Sequence, residues 1–428
     1  MNPPLDWWRP MPAPLAGTGA HASQGRFAFA AVLAFTFVLL VAPQTFLPSL
    51  QPVRLGLLTA AMAIAGLLAD RFVRGLPLLA MTRETWISLG LLGWALLTVP
   101  FSYWPGGSLE FLADTYLKTL VIFWLLPNVV ATPERLRGVA WALTLMAAPL
   151  AAFGINEYRA GRFVEASGPV RRILSYEAPL TQNPNDLALT LNLVLPLSLA
   201  LLLESRRPAP RLLLAGCVAL SVMTVIVTFS RAGFVTLAVT LGLYLARQLG
   251  RPGRGWAAAL LAVLILCAPF LPAGYVERLG TITDLHEDPT GSAQERWGDM
   301  TAALRTILRS PVVGAGIGMN ILALNEVRGP LWKKVHNVYL EHAADLGLPG
   351  LALFLWLFGS CLRAAAGVRR GTAPPGWSRP AHPGSLFFLA EGIEISLLGF
   401  AVAGLFHPVA YSFYFYYIAG LALAARAA

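Results

Sequence analysis

Twelve apolar stretches separated by polar connections decide what this chain can fold into. They lie at about 27–46, 55–69, 86–103, 115–130, 139–154, 187–203, 212–229, 233–246, 256–271, 348–362, 386–405 and 408–425. A helix rises about 1.5 Å per residue and the hydrocarbon of a bilayer is about 30 Å thick, so roughly twenty apolar residues cross it. Composition agrees: 56% of the 428 residues are hydrophobic and 13% charged, about half the charged fraction of a soluble domain. The reading is an all-α polytopic membrane protein with about twelve transmembrane helices. The first stretch lacks a small-residue cleavage site at its end and reads as a retained helix.

Arginine placement orients the series. Alternate connections hold eighteen arginines, among them Arg71, Arg74, Arg83, Arg135, Arg137, Arg206, Arg207, Arg247, Arg251, Arg254, Arg363, Arg369 and Arg370, whereas the short connections of the other set hold only Arg54 and Arg231. Positively charged loops stay cytoplasmic, which places both termini inside. The expected organisation is a cytoplasmic segment at 1–26, helices one to nine over 27–272 with an outer loop at about 156–186, a long outer loop at 273–336, and helices ten to twelve over 337–428.

Net charge is +10, but no run of basic residues interleaved with aromatics supports a nucleic-acid partner. No phosphate-binding glycine loop or dinucleotide fingerprint interrupts the series. Cys217, Cys267 and Cys361 lie in apolar stretches without metal-ligand spacing and read as packing residues. Membrane lipids are the expected surroundings.

The two long outer connections collect Arg159, Arg162, Arg171, Arg172, Arg278, Arg296, Arg305, Arg309, Arg328, Lys333 and Lys334, where topology gives cations no reason to gather. They suit an anionic ligand at the outer surface, or lipid headgroups. Within the longer one, Trp297, Met300, Leu304, Ile307 and Leu308 recur at helical spacing, with Arg305 and Arg309 one turn apart on another face, as in an interfacial amphipathic helix. Gly314, Gly316 and Gly318 then mark a turn-rich path to His336.

His336 is the best general-base candidate, since a free imidazole titrates near about pH 6.5 and accepts a hydroxyl proton at neutral pH; His342 and His407 compete. A helix starting there would put Tyr339 and Leu340 on its face and Lys333 and Lys334 before its positive end. Arg231, in the turn Ser230-Arg231-Ala232-Gly233, is suited to bidentate phosphate recognition; the alternative is a snorkelling side chain. Arg171 and Arg172 form a second phosphate candidate, in a loop ending Asn183-Pro184-Asn185-Asp186, where Asn183 is expected to cap a helix.

Asp114 and Lys118, spaced i, i+4, read as a structural pair. Glu391 and Glu394 read as a proton relay or as partners of cytoplasmic arginines. Asp284, His286, Glu287 and Asp288 sit beside Pro289 and Gly291 and read as a solvated turn rather than a metal cluster. No Asp-x-Asp pair occurs, so no metal and no cofactor is expected.

The Ser230-Arg231-Ala232-Gly233 turn resembles the O-antigen ligase and polymerase superfamily of bacterial envelope glycosyltransferases. So do the Arg296-Trp297 helix leading to Ser310-Pro311, the run His336-Asn337-Val338-Tyr339-Leu340-Glu341, and Leu346-Gly347-Leu348-Pro349-Gly350. The resemblance covers about 110–425 and is strongest from Phe229 to Gly350. It implies a metal-independent transferase of the GT-C type in the bacterial inner membrane, facing the periplasm. The donor would be a glycan on undecaprenyl diphosphate and the acceptor lipid A-core or another glycan. His336 would deprotonate the acceptor, and Arg231 with Arg171 or Arg172 would hold the diphosphate. Tyr339, Lys333, Lys334 and Arg162 would support them. A ligase comes first, a polymerase second, and a transporter of lipid-linked sugars third, for which no internal repeat speaks.

Overall fold

The computed structural model describes residues 25–164, 172–249, 251, 292–373 and 385–428. Among them the secondary structure is helical apart from one isolated antiparallel bridge between Phe163 and Ile173. The helices are α1 Arg26–Val41, α2 Leu55–Val73, α3 Arg83–Thr98, α4 Pro105–Phe111, α5 Leu117–Val129, α6 Pro133–Arg159, α7 Pro184–Glu204, α8 Pro208–Val227, α9 Arg231–Leu249, α10 Ser292–Arg309, α11 Asn320–Arg328, α12 Val338–Gly371, α13 Phe387–Ala403 and α14 Phe413–Ala427. A helix underlies eleven of the twelve expected apolar stretches; the ninth, at 256–271, lies outside the described residues. Among the described residues seven helices, α2, α3 with the turn after it, α6, α7, α8, α9 and α12, are long and apolar enough to cross a membrane.

The core is organised around α7. It packs against α6, α8, α9 and α13, and because it is surrounded it is apolar on every face rather than amphipathic. Within it Asn192 donates to the Gly233 carbonyl at 3.0 Å, its Oδ1 having no hydrogen-bond partner among the described residues, and Ser198 lies 2.9 Å from the Thr144 hydroxyl. Unbonded, such groups would cost several kcal/mol in an apolar interior.

The arginine-rich end is closed by ion pairs. Glu391 and Glu394 face Arg247, Arg251 and Arg369, with Arg247 2.8 Å from Glu394 and Arg369 2.5 Å from it. These two glutamates are therefore paired with arginines. The Asp114–Lys118 pair forms at 2.8 Å and is exposed. Cys217 and Cys361 are buried free thiols; Cys267 and the 284–288 cluster lie outside the described residues.

At the opposite end, α12 is broken. Gly347 has φ 69° and ψ −176°, a conformation open in practice only to glycine. The freed carbonyls are taken by the glycine turn that follows α10: Ala315 N donates to Ala344 O and Gly316 N to Asp345 O, both at 2.8 Å, while Leu348 N donates to Pro311 O at 2.8 Å. A Cβ on Gly316 would lie 2.1 Å from Ser102 Oγ, so this glycine is needed for close approach as well as for its φ of 94°. The helix expected to begin at His336 begins instead at Val338, with Asn337 as its cap: Asn337 Oδ1 accepts from Tyr339 N and Leu340 N, both at 3.0 Å. His336 therefore stands on the chain just ahead of the helix.

Candidate functional site

His336 is held from both sides in sequence. Ahead of it, Val335 N donates to Asn320 Oδ1 at 3.4 Å, and Asn320 itself donates to the buried Asp345. Behind it, Val338 N donates to Gly404 O at 2.7 Å and Asn337 Nδ2 to Leu405 O at 3.4 Å. The half-buried imidazole keeps 31% of its side-chain surface. Desolvation first, then the neighbouring Arg296 cation, push its pKa down to about 4. At neutral pH it is an uncharged base.

Four other parts of the chain converge on it. Asn183 caps α7 as expected, its Oδ1 accepting from Asn185 N at 2.9 Å and Asp186 N at 3.1 Å, with Pro184 in the first turn. Arg172 Nη2 donates to Asn185 Oδ1 at 2.8 Å, which aims this guanidinium at the positive end of α7. Asp186 lies within electrostatic reach of both His336 and Arg172. His407, buried in the turn after α13, approaches Asn185 O at 3.4 Å and feels Arg296 and His336; burial holds it neutral as well, down to about 4. The fourth part is α10, which contributes Arg296 and Asp299. Asp299 is 1% exposed and its Oδ2 stands 3.6 Å from His336 Nδ1.

Arg231 opens α9. Ser230 Oγ accepts from Gly233 N at 3.1 Å, capping the helix, and Phe229 enters the turn at φ 52°. Any side chain at 233 would meet Ala188 Cβ at 2.7 Å. Hence Ser230-Arg231-Ala232-Gly233 supplies a cap, a cation and a close-contact glycine that seats α9 against α7 one turn beyond Asn185, at the same end of the bundle as His336.

The other expected site residues have distinct settings. Arg171 lies outside the described residues. Arg162, across the short antiparallel pairing from Arg172, chelates Glu157, with Nε 2.7 Å from Oε2. Lys333 pairs with Glu295 at 2.5 Å. Lys334 stands 3.6 Å from Glu341 and 4.9 Å from the centre of the Phe111 ring. Tyr339 donates its hydroxyl to Ala401 O at 2.8 Å, a bond that ties α12 to α13.

Asp299 and Asp186 were not singled out as site residues from sequence, and His407 was named only as an imidazole competing with His336. For Asp299 a signal existed: it is the sole acidic residue between Arg296 and Arg309, one turn from Arg296. The amphipathic reading of this helix drew attention to Trp297, Leu304 and Leu308, which are 60%, 50% and 80% exposed, whereas Ile307 is 8% exposed and packs against α12. The packed face runs through Asp299, Ala302, Ala303 and Thr306.

Fold and site together define a polytopic helical membrane protein whose polar site, rich in arginine and imidazole, lies at one end of the bundle. Residues 190–355 match the O-antigen ligase family model, a span that contains Arg231, Asp299, Arg328 and His336 and that supports the resemblance to the O-antigen ligase and polymerase superfamily. No curated protein matches the chain.

Proposed function

We propose that the protein is a metal-independent GT-C-type glycosyltransferase with about twelve membrane helices, acting at the periplasmic face of a bacterial inner membrane. It moves a glycan from undecaprenyl diphosphate to an acceptor hydroxyl, with lipid A-core as the first acceptor to test and a growing lipid-linked glycan as the second. The observation that carries the reading is an imidazole kept neutral beside arginines, at one end of an apolar bundle and inside the O-antigen ligase domain.

The chemistry needs two things: a base for the acceptor proton and cations where negative charge grows on the departing diphosphate. His336 serves as the base. Arg231 and Arg172 hold the diphosphate, with Arg171 as a further ligand in the same loop. Lys333, Lys334 and Arg162, which face carboxylates, support them.

The test gives purified protein an undecaprenyl-diphosphate glycan together with lipid A-core. Glycan on lipid A-core identifies a ligase, and longer lipid-linked chains identify a polymerase. His336→Ala is expected to lower transfer by at least about 100-fold with donor affinity retained; near-normal transfer by the folded variant sinks the reading.

A further inference from the structure

Asp299 has a setting that packing alone does not explain. Its carboxylate is buried, yet Oδ2 has no hydrogen-bond partner among the described residues, and neither has His336 Nδ1, 3.6 Å away. Leaving both atoms unpaired would cost each its full desolvation. The other oxygen, Oδ1, is bound by Arg328 Nη1. Arg328, with 8% of its side-chain surface exposed, also donates through Nη2 to the carbonyl of Lys333, three residues before His336. One guanidinium thus ties the carboxylate of α10 to the chain segment that bears the imidazole.

From this geometry we infer that Asp299 is the positioning residue for His336, clamped in place by Arg328. This rests on the reading of His336 as the base. A small rotation of the ring closes 3.6 Å to a hydrogen bond, and contacts of this kind commonly tighten only when substrate is bound. The Nδ1 proton then points at Asp299, which fixes the tautomer and leaves the Nε2 lone pair for the acceptor. In the transfer step the acceptor oxygen gives its proton to Nε2 and forms the new bond to the anomeric carbon. The bond from that carbon to the diphosphate oxygen breaks, and its electron pair leaves with the diphosphate. The imidazolium so formed faces the Asp299 carboxylate. Around the ring the other charged and titratable groups are Glu295 and Arg296 on α10, Lys333 ahead of it, Glu341 on α12, Asp186 on α7 and His407 after α13. Besides these, Asp299 presents its Oδ2 3.6 Å from Nδ1.

The experiment is a double-mutant cycle on the full-length protein, with the undecaprenyl-diphosphate glycan as donor and lipid A-core as acceptor. Asp299→Asn keeps the shape and removes the charge. It is expected to lower kcat about 100-fold while the donor KM stays within about twofold. Since this variant leaves the Arg328 cation buried beside a neutral amide, it is repeated with Arg328→Met, where the same loss of kcat is expected. Asp299→Glu, which restores a carboxylate, should recover at least tenfold over Asn. In a His336→Ala background Asp299→Asn should cost nothing further, because a positioning group has nothing left to position. Normal turnover by Asp299→Asn beside an inactive His336→Ala overturns the inference and leaves the base reading standing. A further loss in the His336→Ala background also overturns it. Normal transfer by His336→Ala instead sinks the base reading itself.

Discussion

At the residue scale, the environment of His336 fixes its titration. Its pKa lies below the free value, so the unfolded chain binds the proton first as pH falls. Stability therefore declines with falling pH from about 6.5 down to about 4 and is not affected by this group above that window. Under the proposed role of His336, catalysis should follow the same number. The acid limb of kcat/KM, which reports the free enzyme, is expected well below pH 6.5, and a limb at or above 6.5 in a pH series on purified protein would contradict a desolvated base. Arg231 gives the second prediction at this scale. Arg231→Lys should impair transfer nearly as much as Arg231→Ala, by at least about tenfold, because an ammonium keeps the charge but not the planar two-donor fork. If the side chain merely reaches for headgroups, lysine will serve as well as arginine, and parallel measurement of donor affinity and rate separates the two. As candidates, His336 and Arg231 stood out in the sequence because one is an imidazole closing a long polar loop and the other a lone cation in a short turn between two apolar stretches. Asp299 was obscured because its neighbours Trp297 and Met300 dominate the apolar pattern, and its value lies in contacts with Arg328 and His336, 29 and 37 positions away along the chain.

At the level of elements, the break in α12 controls how His336 is presented. The stretch at 348–362 was legible as apolar, but the helix also runs back over Glu341, His342 and Asp345, whose polarity hides it from hydropathy. They are tolerated because tertiary contacts pay their desolvation: Glu341 Oε2 accepts from Ala410 N at 3.0 Å and Asp345 from Asn320. At Gly347 an alanine would meet Val312 O at 2.1 Å as well as a φ of 69°. Gly347→Ala is therefore expected to destabilise by at least about 2 kcal/mol and to lower transfer through a displaced His336. Gly216→Ala on α8, where nothing lies within 4 Å, should be neutral or slightly stabilising. Thermal unfolding of the two variants in one detergent checks the contrast, and equal melting temperatures would mean that the break is not a fixed feature.

For the whole molecule, the prediction concerns sidedness. Arg207, beyond the far end of α7, and Leu331, just ahead of His336, belong to opposite ends of the bundle. In a cysteine-free background, Leu331→Cys should react with an impermeant thiol reagent added to the periplasmic side and Arg207→Cys should not. The reverse pattern would invert the orientation read from eighteen arginines against two. The apolar stretches that the described helices occupy, and their order, were legible because hydropathy is a local property. The way α7 comes to sit at the centre was not, because every face of a surrounded helix and of a lipid-facing helix is apolar alike.

The segment bearing His336 is fastened by Gly404, Leu405 and, through Glu341, Ala410, all contributed by the stretch between the last two helices. In the order of synthesis those residues come about seventy positions after His336. While the ribosome is still adding α13, the arginines and the histidine are already made, but the imidazole has no fixed place to act from. Fixing of this imidazole is thus tied to synthesis of the stretch after α13, and until that stretch is made the segment ahead of α12 lacks these anchors.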